Sequence, residues 1–199
     1  MILDLTERVV ISAMFCNFTF QIVGSFEQTF EIETLLLFFS ELLPFLFILL
    51  RRPSATLSDR PLDWFFGFAG TTAVLLVTPA TVDPLIWRGA CFAIIMIGIC
   101  TQISAKVALG LSFGIVAANR GVRVDGPYRF VRHPMYVGYT TAHVGLLLAM
   151  PSITNALLYA GALGLQIVRI QREERILFLD PAYKAFAARV RYRLAPLIY

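Results

Sequence analysis

The chain has 199 residues, of which 58% are hydrophobic, and its mean hydropathy is +0.73. This composition is too apolar for a soluble domain of this length and predicts a membrane protein. The formal net charge is +4 at pH 7, so basic residues are available to mark one side of a membrane.

The cysteines and histidines give no sign of a disulfide framework or a metal site. Cys16, Cys91 and Cys100 all lie in apolar segments, and their number is odd. They are typical of small buried hydrophobic residues. His133 and His143 have no cysteine beside them, so we expect no metal.

Long apolar runs in the first 110 residues predict four membrane-spanning helices. Each run is close to the roughly 20 residues that a helix needs to cross the hydrocarbon core. The runs are Val9–Phe26, Ile32–Leu50, Leu62–Ala80 and Leu85–Leu109.

Two shorter apolar runs, Met135–Met150 and Ile153–Val168, predict a helical hairpin. Pro151 lies between them, and proline cannot continue a helix. Each run spans roughly 24 Å as a helix, which is less than the thickness of the hydrocarbon core. The hairpin therefore either crosses a locally thinned membrane or re-enters on the same side. The predicted fold class is an all-α integral membrane protein with about six membrane helices.

The distribution of charge predicts that both termini lie in the cytoplasm. With six passes, the outer loops carry acidic residues and no lysine or arginine, and only Arg88 lies near the outer face. Cytoplasmic segments of membrane proteins are rich in Lys and Arg, so this arrangement agrees with the positive-inside rule. It places a polar and aromatic cassette, residues Gly126–Gly138, on the cytoplasmic face.

The C-terminal segment predicts two helical features. Arg169 and Glu173 are four residues apart and share one face of the continued last apolar helix, whereas Glu174 points about 100° away. Asp180 and Pro181 have the pattern of an N-cap and a first turn, and they open an amphipathic cytoplasmic helix. We expect anionic lipid headgroups to meet its basic residues, Lys184, Arg189, Arg191 and Arg193.

The cassette is a candidate functional site. Charged and aromatic side chains beside lipid are costly unless they lie at the interface or line a cavity. Taken singly, each has a simpler explanation: Arg129 and Arg132 as headgroup contacts, and Tyr128 and Tyr136 as interfacial aromatic residues. A solvated ion pair would likewise account for Arg169 with Glu173.

Taken in order, the motifs resemble the isoprenylcysteine carboxyl methyltransferase family and its phospholipid methyltransferase relatives. They are Gly-Pro-Tyr-Arg-x-x-Arg-His-Pro-Met-Tyr-x-Gly, the hairpin after it, Glu173-Glu174-x-x-Leu177, Tyr183 and Arg189-Val190. The resemblance covers roughly residues 112–199. It implies that residues 1–110 form the substrate side and that residues 111–199 form the catalytic region.

The resemblance also implies a membrane methyltransferase that uses S-adenosylmethionine without a Rossmann domain, and the chain has no GxGxxG turn. The implied cofactor residues lie in the cassette, the loop before it and the last apolar helix: Arg120, Gly121, Val122, Arg123, Tyr128, His133, Pro134, Met135, Tyr136 and Glu173. Arg169 resembles a family arginine associated with the methyl acceptor, and we predict a catalytic and substrate-binding role for it.

The acceptor is predicted to be lipophilic: an isoprenylcysteine-like carboxylate, a lipid or a thiol. Glu41 is a candidate substrate contact, because an ionisable residue in the middle of an apolar run usually faces a cavity or a partner. We expect membrane lipids as partners and no nucleic acid.

Two other functions remain open. Membrane sterol-type reductases, which use NADPH, have a similar Arg-His-Pro-x-Tyr string and a closing segment like Tyr192-Arg193-Leu194-Ala195-Pro196. The length of the chain and the Glu173-Glu174 pair favour the methyl donor over NADPH. The second alternative is a non-catalytic membrane assembly module.

Overall fold

The computed structural model describes residues 2–26, 42–43, 45–51, 57–72 and 82–195. Within these ranges the chain is helical and contains no β-strand, which confirms the all-α prediction. The α-helices whose bounds lie within the described ranges are α1 (Ile2–Phe26), α2 (Pro61–Thr72), α3 (Arg88–Leu109), α4 (Pro134–Ala149), α5 (Ile153–Leu177) and α6 (Pro181–Arg189). Two short 3-10 helices, Gly110–Ser112 and Gly126–Arg129, lie between α3 and α4.

Two segments of the described chain are long and apolar enough to cross a membrane, Arg88–Ser112 and Ile153–Leu177. Helix α4 has 16 residues, fewer than the roughly 20 that a full crossing needs. The predicted spans Ile32–Leu50 and Leu62–Ala80 lie partly outside the described residues. The count of about six membrane helices therefore stays a prediction.

Helix α1 begins earlier than the apolar run at Val9 that predicted it. Its first two turns carry charged side chains that an apolar helix does not normally include, among them Asp4 and Glu7. Both are buried, and Arg51 compensates their charge: its Nη2 lies 3.1 Å from Asp4 Oδ1 and 2.6 Å from Glu7 Oε2. Ion pairing in the folded protein therefore extends the helix into its polar end.

The helix ends follow the capping pattern of the sequence. Ser152, next to Pro151, caps α5 by accepting a hydrogen bond from the backbone N–H of Asn155 at 3.4 Å. Helix α5 then continues past its apolar part to Leu177, as predicted. The carboxylate of Asp180 accepts a hydrogen bond from the N–H of Ala182 at 2.8 Å, which confirms it as the N-cap of α6.

Helix α6 is amphipathic, as the spacing of its apolar residues predicted. Tyr183 and Phe186 are buried, whereas Lys184 and Arg189 are exposed. Arg193, just beyond the helix, has a protein partner that the sequence did not predict: its Nε donates to Glu174 Oε2 at 2.7 Å. The contact of the basic residues with lipid headgroups stays a prediction.

Helices α3 and α4 pack against each other through small residues. A Cβ added to Gly98 of α3 would lie 2.5 Å from the backbone nitrogen of Ala142 in α4. A Cβ added to Gly138 of α4 would lie 2.7 Å from the backbone nitrogen of Gln102 in α3. Helices in membranes gain van der Waals contact when small residues allow such close approach. These glycines set the distance between the two helices and hence the position of the start of α4.

We expect Gly98→Ala to destabilise the fold by about 1–3 kcal/mol, because the added methyl group meets backbone atoms that cannot move aside. Gly161→Ala is the matched control, since Gly161 lies in α5 with open space around it. Alanine there should be neutral or stabilise the helix by about 0.5–1 kcal/mol. Unfolding of the two purified variants in detergent measures the difference, and equal stabilities would show that the α3–α4 contact is not this tight.

A partly buried ion pair joins helix α2 to the end of α5. Arg172 Nη1 lies 2.7 Å from Asp63 Oδ1, and the Arg172 guanidinium lies 4.8 Å from the ring centre of Phe66. The Ser58 hydroxyl donates to the same aspartate at 2.5 Å. The last two turns of α5, which carry the polar residues of the C-terminal segment, are thereby held beside α2.

Candidate functional site

A cleft lies where the loop after α3, the start of α4, the end of α5 and helix α6 meet. Its cavity volume is about 100 Å³, and the cavity opens to solvent. Most of the predicted cofactor residues line it: Arg120, Gly121, Val122, Arg123, Tyr128, His133, Met135, Tyr136 and Glu173. Three separate segments of the sequence therefore meet at one cavity.

The other predicted site residues do not line the cleft. Pro134 is buried in the first turn of α4, where proline suits the start of a helix. Arg169 contacts the cleft lining from behind, through Glu173, Tyr136 and the Gly114 carbonyl. Glu41 lies outside the described residues.

Glu173 connects the cassette to α5. Its Oε1 accepts a hydrogen bond from the Tyr136 hydroxyl at 2.7 Å and another from Arg169 Nε at 3.0 Å. Both donors are buried, with Tyr136 only 2% exposed and Arg169 6%. The Glu173 side chain is 20% exposed and lines the cleft. One carboxylate is therefore held on two sides by protein and presents its remaining surface to the cavity.

Arg169 is a buried cation that joins three parts of the fold. Besides Glu173, its guanidinium donates to the Thr71 hydroxyl of α2 and to the Gly114 carbonyl, both at 3.3 Å. It also lies 5.5 Å from the centre of the Tyr136 ring, within cation–π range. Arg169 therefore fixes the orientation of Glu173 and Tyr136.

Glu174 is the centre of a separate buried ion cluster. Its carboxylate lies 3.3 Å from Arg132 Nη1, and it accepts hydrogen bonds from the Tyr183 hydroxyl at 3.2 Å and Arg193 Nε at 2.7 Å. The Glu174 side chain is 3% exposed. As the helical spacing predicted, Glu174 lies on a different face of α5 from Glu173. Its buried carboxylate binds side chains of the cassette, of α6 and of the segment after α6.

His133 lies between the two glutamates. Its Nε2 is 3.3 Å from Glu174 Oε1, and its Nδ1 is 3.9 Å from Glu173 Oε2. Its backbone N–H donates to the carbonyl of Arg193 at 2.9 Å, and the N–H of Arg132 donates to the carbonyl of Tyr192 at 2.9 Å. The residues after α6 are thus bound along the cassette, and they hold His133 at the edge of the cleft.

Two tyrosines of the cleft are held in their neutral form. Burial, with a further contribution from Glu173, raises the pKa of Tyr128 well above its ordinary value. Burial and Glu174 likewise raise the pKa of Tyr183. A phenol with a raised pKa donates a hydrogen bond and does not act as a base near neutral pH. The cleft lining therefore contains neutral phenols beside the Glu173 carboxylate, and the Tyr183 hydroxyl already donates to Glu174.

Arg120 supplies a cation to the cleft lining. Its Nη1 donates to the carbonyl of Val116 at 3.0 Å and its Nη2 to Glu7 Oε2 at 3.0 Å. Its Nε is buried and has no hydrogen-bond partner among the described residues. Burial lowers the pKa of Arg120 to about 10, so the side chain is still protonated at neutral pH. A protonated guanidinium in the cleft lining suits an anionic ligand group.

Several residues of the cleft carry no motif that sequence reasoning could use. Phe113, Gly114 and Val116 line it through a loop with no regular pattern. Glu7 supports that loop from the other end of the chain, and its only signal is an ionisable residue at the start of an apolar helix. Such a signal indicates a buried partner without identifying it.

Comparison with known proteins connects this geometry to a family. Residues 87–185 match the family described as phospholipid methyltransferase. That range contains α3, α4, α5 and the whole cassette, Gly126–Gly138. No curated protein matches the chain.

Proposed function

The chain belongs, through residues 87–185, to the phospholipid methyltransferase family, which makes it a membrane methyltransferase, and from this membership we propose that its cleft binds S-adenosylmethionine. One observation carries the proposal: the loop before the cassette, the cassette itself and Glu173 of α5 line the same cavity. Glu173 is distant in the sequence from the loop and the cassette, and the fold brings them to one site with a cation, a carboxylate and aromatic walls.

The chemistry of the cleft suits this cofactor. S-adenosylmethionine has a carboxylate and an ammonium at one end, ribose hydroxyls in the middle and a flat adenine. The Arg120 guanidinium in the cleft lining is a cation that suits a carboxylate, and the exposed part of Glu173 is an acceptor for an ammonium or a hydroxyl. Phe186 and Met135 supply apolar surface in the same cavity.

When bound, S-adenosylmethionine supplies a methyl group that an acceptor nucleophile takes by in-line displacement, with the electrons of the broken carbon–sulfur bond remaining on sulfur. The sulfonium is a good leaving group, so we assign the protein the tasks of alignment and exclusion of water, without a strong general base. The Arg169, Tyr136 and Glu173 contacts support this assignment because they immobilise the cleft wall.

We propose a lipophilic acceptor, such as a carboxylate on a prenylated cysteine, a lipid amine or a thiol. Arg169 would orient an acceptor carboxylate, and Glu41 would contact the substrate from the N-terminal region. The active site would face the cytoplasm, where S-adenosylmethionine is found, with both chain termini on that side. Residues 1–110 would form the substrate side and residues 111–199 the catalytic region, with membrane lipids as partners.

Equilibrium binding of labelled S-adenosylmethionine and of NADPH to the purified protein in detergent tests this function. We expect binding of the methyl donor and no competition by NADPH. His133→Ala should weaken donor binding at least tenfold, equal to about 1.4 kcal/mol, because His133 stands at the cleft edge between both glutamates. Tight NADPH binding without donor binding would indicate the reductase alternative. Absence of binding to either ligand would indicate the non-catalytic module.

A further inference from the structure

A buried carboxylate joins the start of α1 to the wall of the cleft. Glu7 has no exposed surface, and its Oε1 accepts hydrogen bonds from the backbone N–H groups of Ile115 at 2.8 Å and Val116 at 3.0 Å. Its Oε2 accepts from Arg51 Nη2 at 2.6 Å and from Arg120 Nη2 at 3.0 Å. Both oxygens of Glu7 therefore bind the loop or the arginines beside it.

The same contacts determine where the Arg120 guanidinium lies. It is tethered by Glu7 and by the Val116 carbonyl, and it lies directly against the backbone of Gly114, where an added Cβ would overlap it. Arg51 strengthens the arrangement by donating from Nη1 to the carbonyl of Phe113 at 2.8 Å. Nη1 and Nη2 of Arg120 each donate one hydrogen bond to the protein, which leaves a second N–H on each terminal nitrogen for a ligand in the cleft that Arg120 lines.

The charge of the cluster favours an anion in the cleft. Its acids are Asp4 and Glu7, and its bases are Arg8, Arg51 and Arg120, so its formal charge is +1. Of the three bases, Arg120 is the one that lines the cleft. An ion pair with Glu7 thus orients Arg120 without cancelling the positive charge of the whole cluster.

We propose that Glu7 is a positioning residue for cofactor binding: it holds Arg120 so that the guanidinium receives the amino-acid carboxylate of the cofactor. This inference rests on the proposed function, since it identifies the part of S-adenosylmethionine that Arg120 recognises. It makes α1, which lies outside residues 87–185, part of the cofactor site.

Replacing Glu7 with glutamine tests the role of Glu7. One amide oxygen can still accept from the loop N–H groups, but the amide nitrogen cannot accept from Arg51 and Arg120. We expect the affinity for S-adenosylhomocysteine to fall at least tenfold. The affinity for 5′-methylthioadenosine, which lacks the amino acid end, should change less than twofold. Titration calorimetry on the purified full chain measures both ligands.

Asp4→Asn is the matched control, because Asp4 is also buried in α1 and pairs with Arg8 and Arg51 without contacting the cleft loop. We expect it to lower thermal stability and to leave both affinities within twofold of wild type. Gly114→Ala is a second route to the same test if Glu7→Gln does not fold. Its methyl group displaces the flexible tip of Arg120 while Glu7 stays in place, so it should show the same selective loss.

Equal losses for the two ligands, tighter binding of S-adenosylhomocysteine, or matching behaviour of Glu7→Gln and Asp4→Asn would each overturn this role for Glu7. These results are distinct from a failure of the proposed function itself. In that case the wild-type protein would bind neither S-adenosylhomocysteine nor S-adenosylmethionine, and the inference would fall with it.

Discussion

Glu173→Gln is expected to lower the affinity for S-adenosylmethionine by about 10- to 100-fold. The carboxylate lines the cleft and organises two buried donors, Tyr136 and Arg169, through one oxygen. A hydrogen bond to a charged group contributes about 1.5–3 kcal/mol, and glutamine replaces one acceptor oxygen with a donor. Titration of the purified variant with S-adenosylmethionine measures the loss.

Tyr136→Phe provides a graded comparison for Glu173→Gln. It removes the hydroxyl donor and keeps the ring beside the Arg169 guanidinium. A neutral hydrogen bond contributes about 0.5–1.5 kcal/mol, so the expected loss of affinity is roughly 2- to 12-fold. Asp125→Asn removes an exposed carboxylate outside the cleft lining and should leave the affinity unchanged. If Glu173→Gln bound S-adenosylmethionine as tightly as the wild type, Glu173 would have no role in cofactor binding.

Glu174→Gln is expected to destabilise the protein by about 3–5 kcal/mol, the largest effect on stability that we predict. The change leaves the buried Arg132 without its carboxylate and disrupts the contacts of Tyr183 and Arg193. Removing one partner of a buried ion pair is costly because the remaining charge is neither solvated nor compensated. At roughly 2–4 °C per kcal/mol, the midpoint of thermal unfolding should fall by about 6–20 °C.

The exposed pair Arg129–Asp125 is the control for Glu174. Its atoms are 3.6 Å apart, and its side chains are 69% and 78% exposed. Asp125→Asn should therefore change the free energy of unfolding by less than about 1 kcal/mol. If Glu174→Gln unfolded at the wild-type temperature, the ion cluster would not stabilise the fold. Other contacts would then hold the segment after α6 against the cassette.

The fold could be predicted where local signals decide it. Pro151 and Asp180 mark helix boundaries that the structure reproduces, because proline and capping chemistry act within a few residues. The early start of α1 could not be predicted. Hydropathy alone predicts that Asp4 and Glu7 are solvent-exposed. In the structure both pair with Arg51, more than 40 residues away.

In the candidate site, too, local sequence signals could be predicted and long-range contacts could not. The ordered motifs located the cassette and Glu173, and helical spacing placed Arg169 on the Glu173 face. The same spacing separated Glu174 from that face but could not identify its partners, which come from the cassette and from the segment after α6. The contact between Glu7 and the loop at Ile115 joins residues 108 positions apart, and no local pattern encodes such a contact.

Methyl transfer itself tests the central claim most directly. The purified protein would be incorporated into vesicles of a total membrane lipid extract and given S-adenosylmethionine with a tritiated methyl group. We predict that tritium enters the fraction extracted by organic solvent with wild-type protein, and that Glu173→Gln reduces this transfer in parallel with its binding loss. Wild-type protein that transfers no tritium to lipids, prenylated cysteine or added thiols, and that binds no S-adenosylmethionine, would contradict the account.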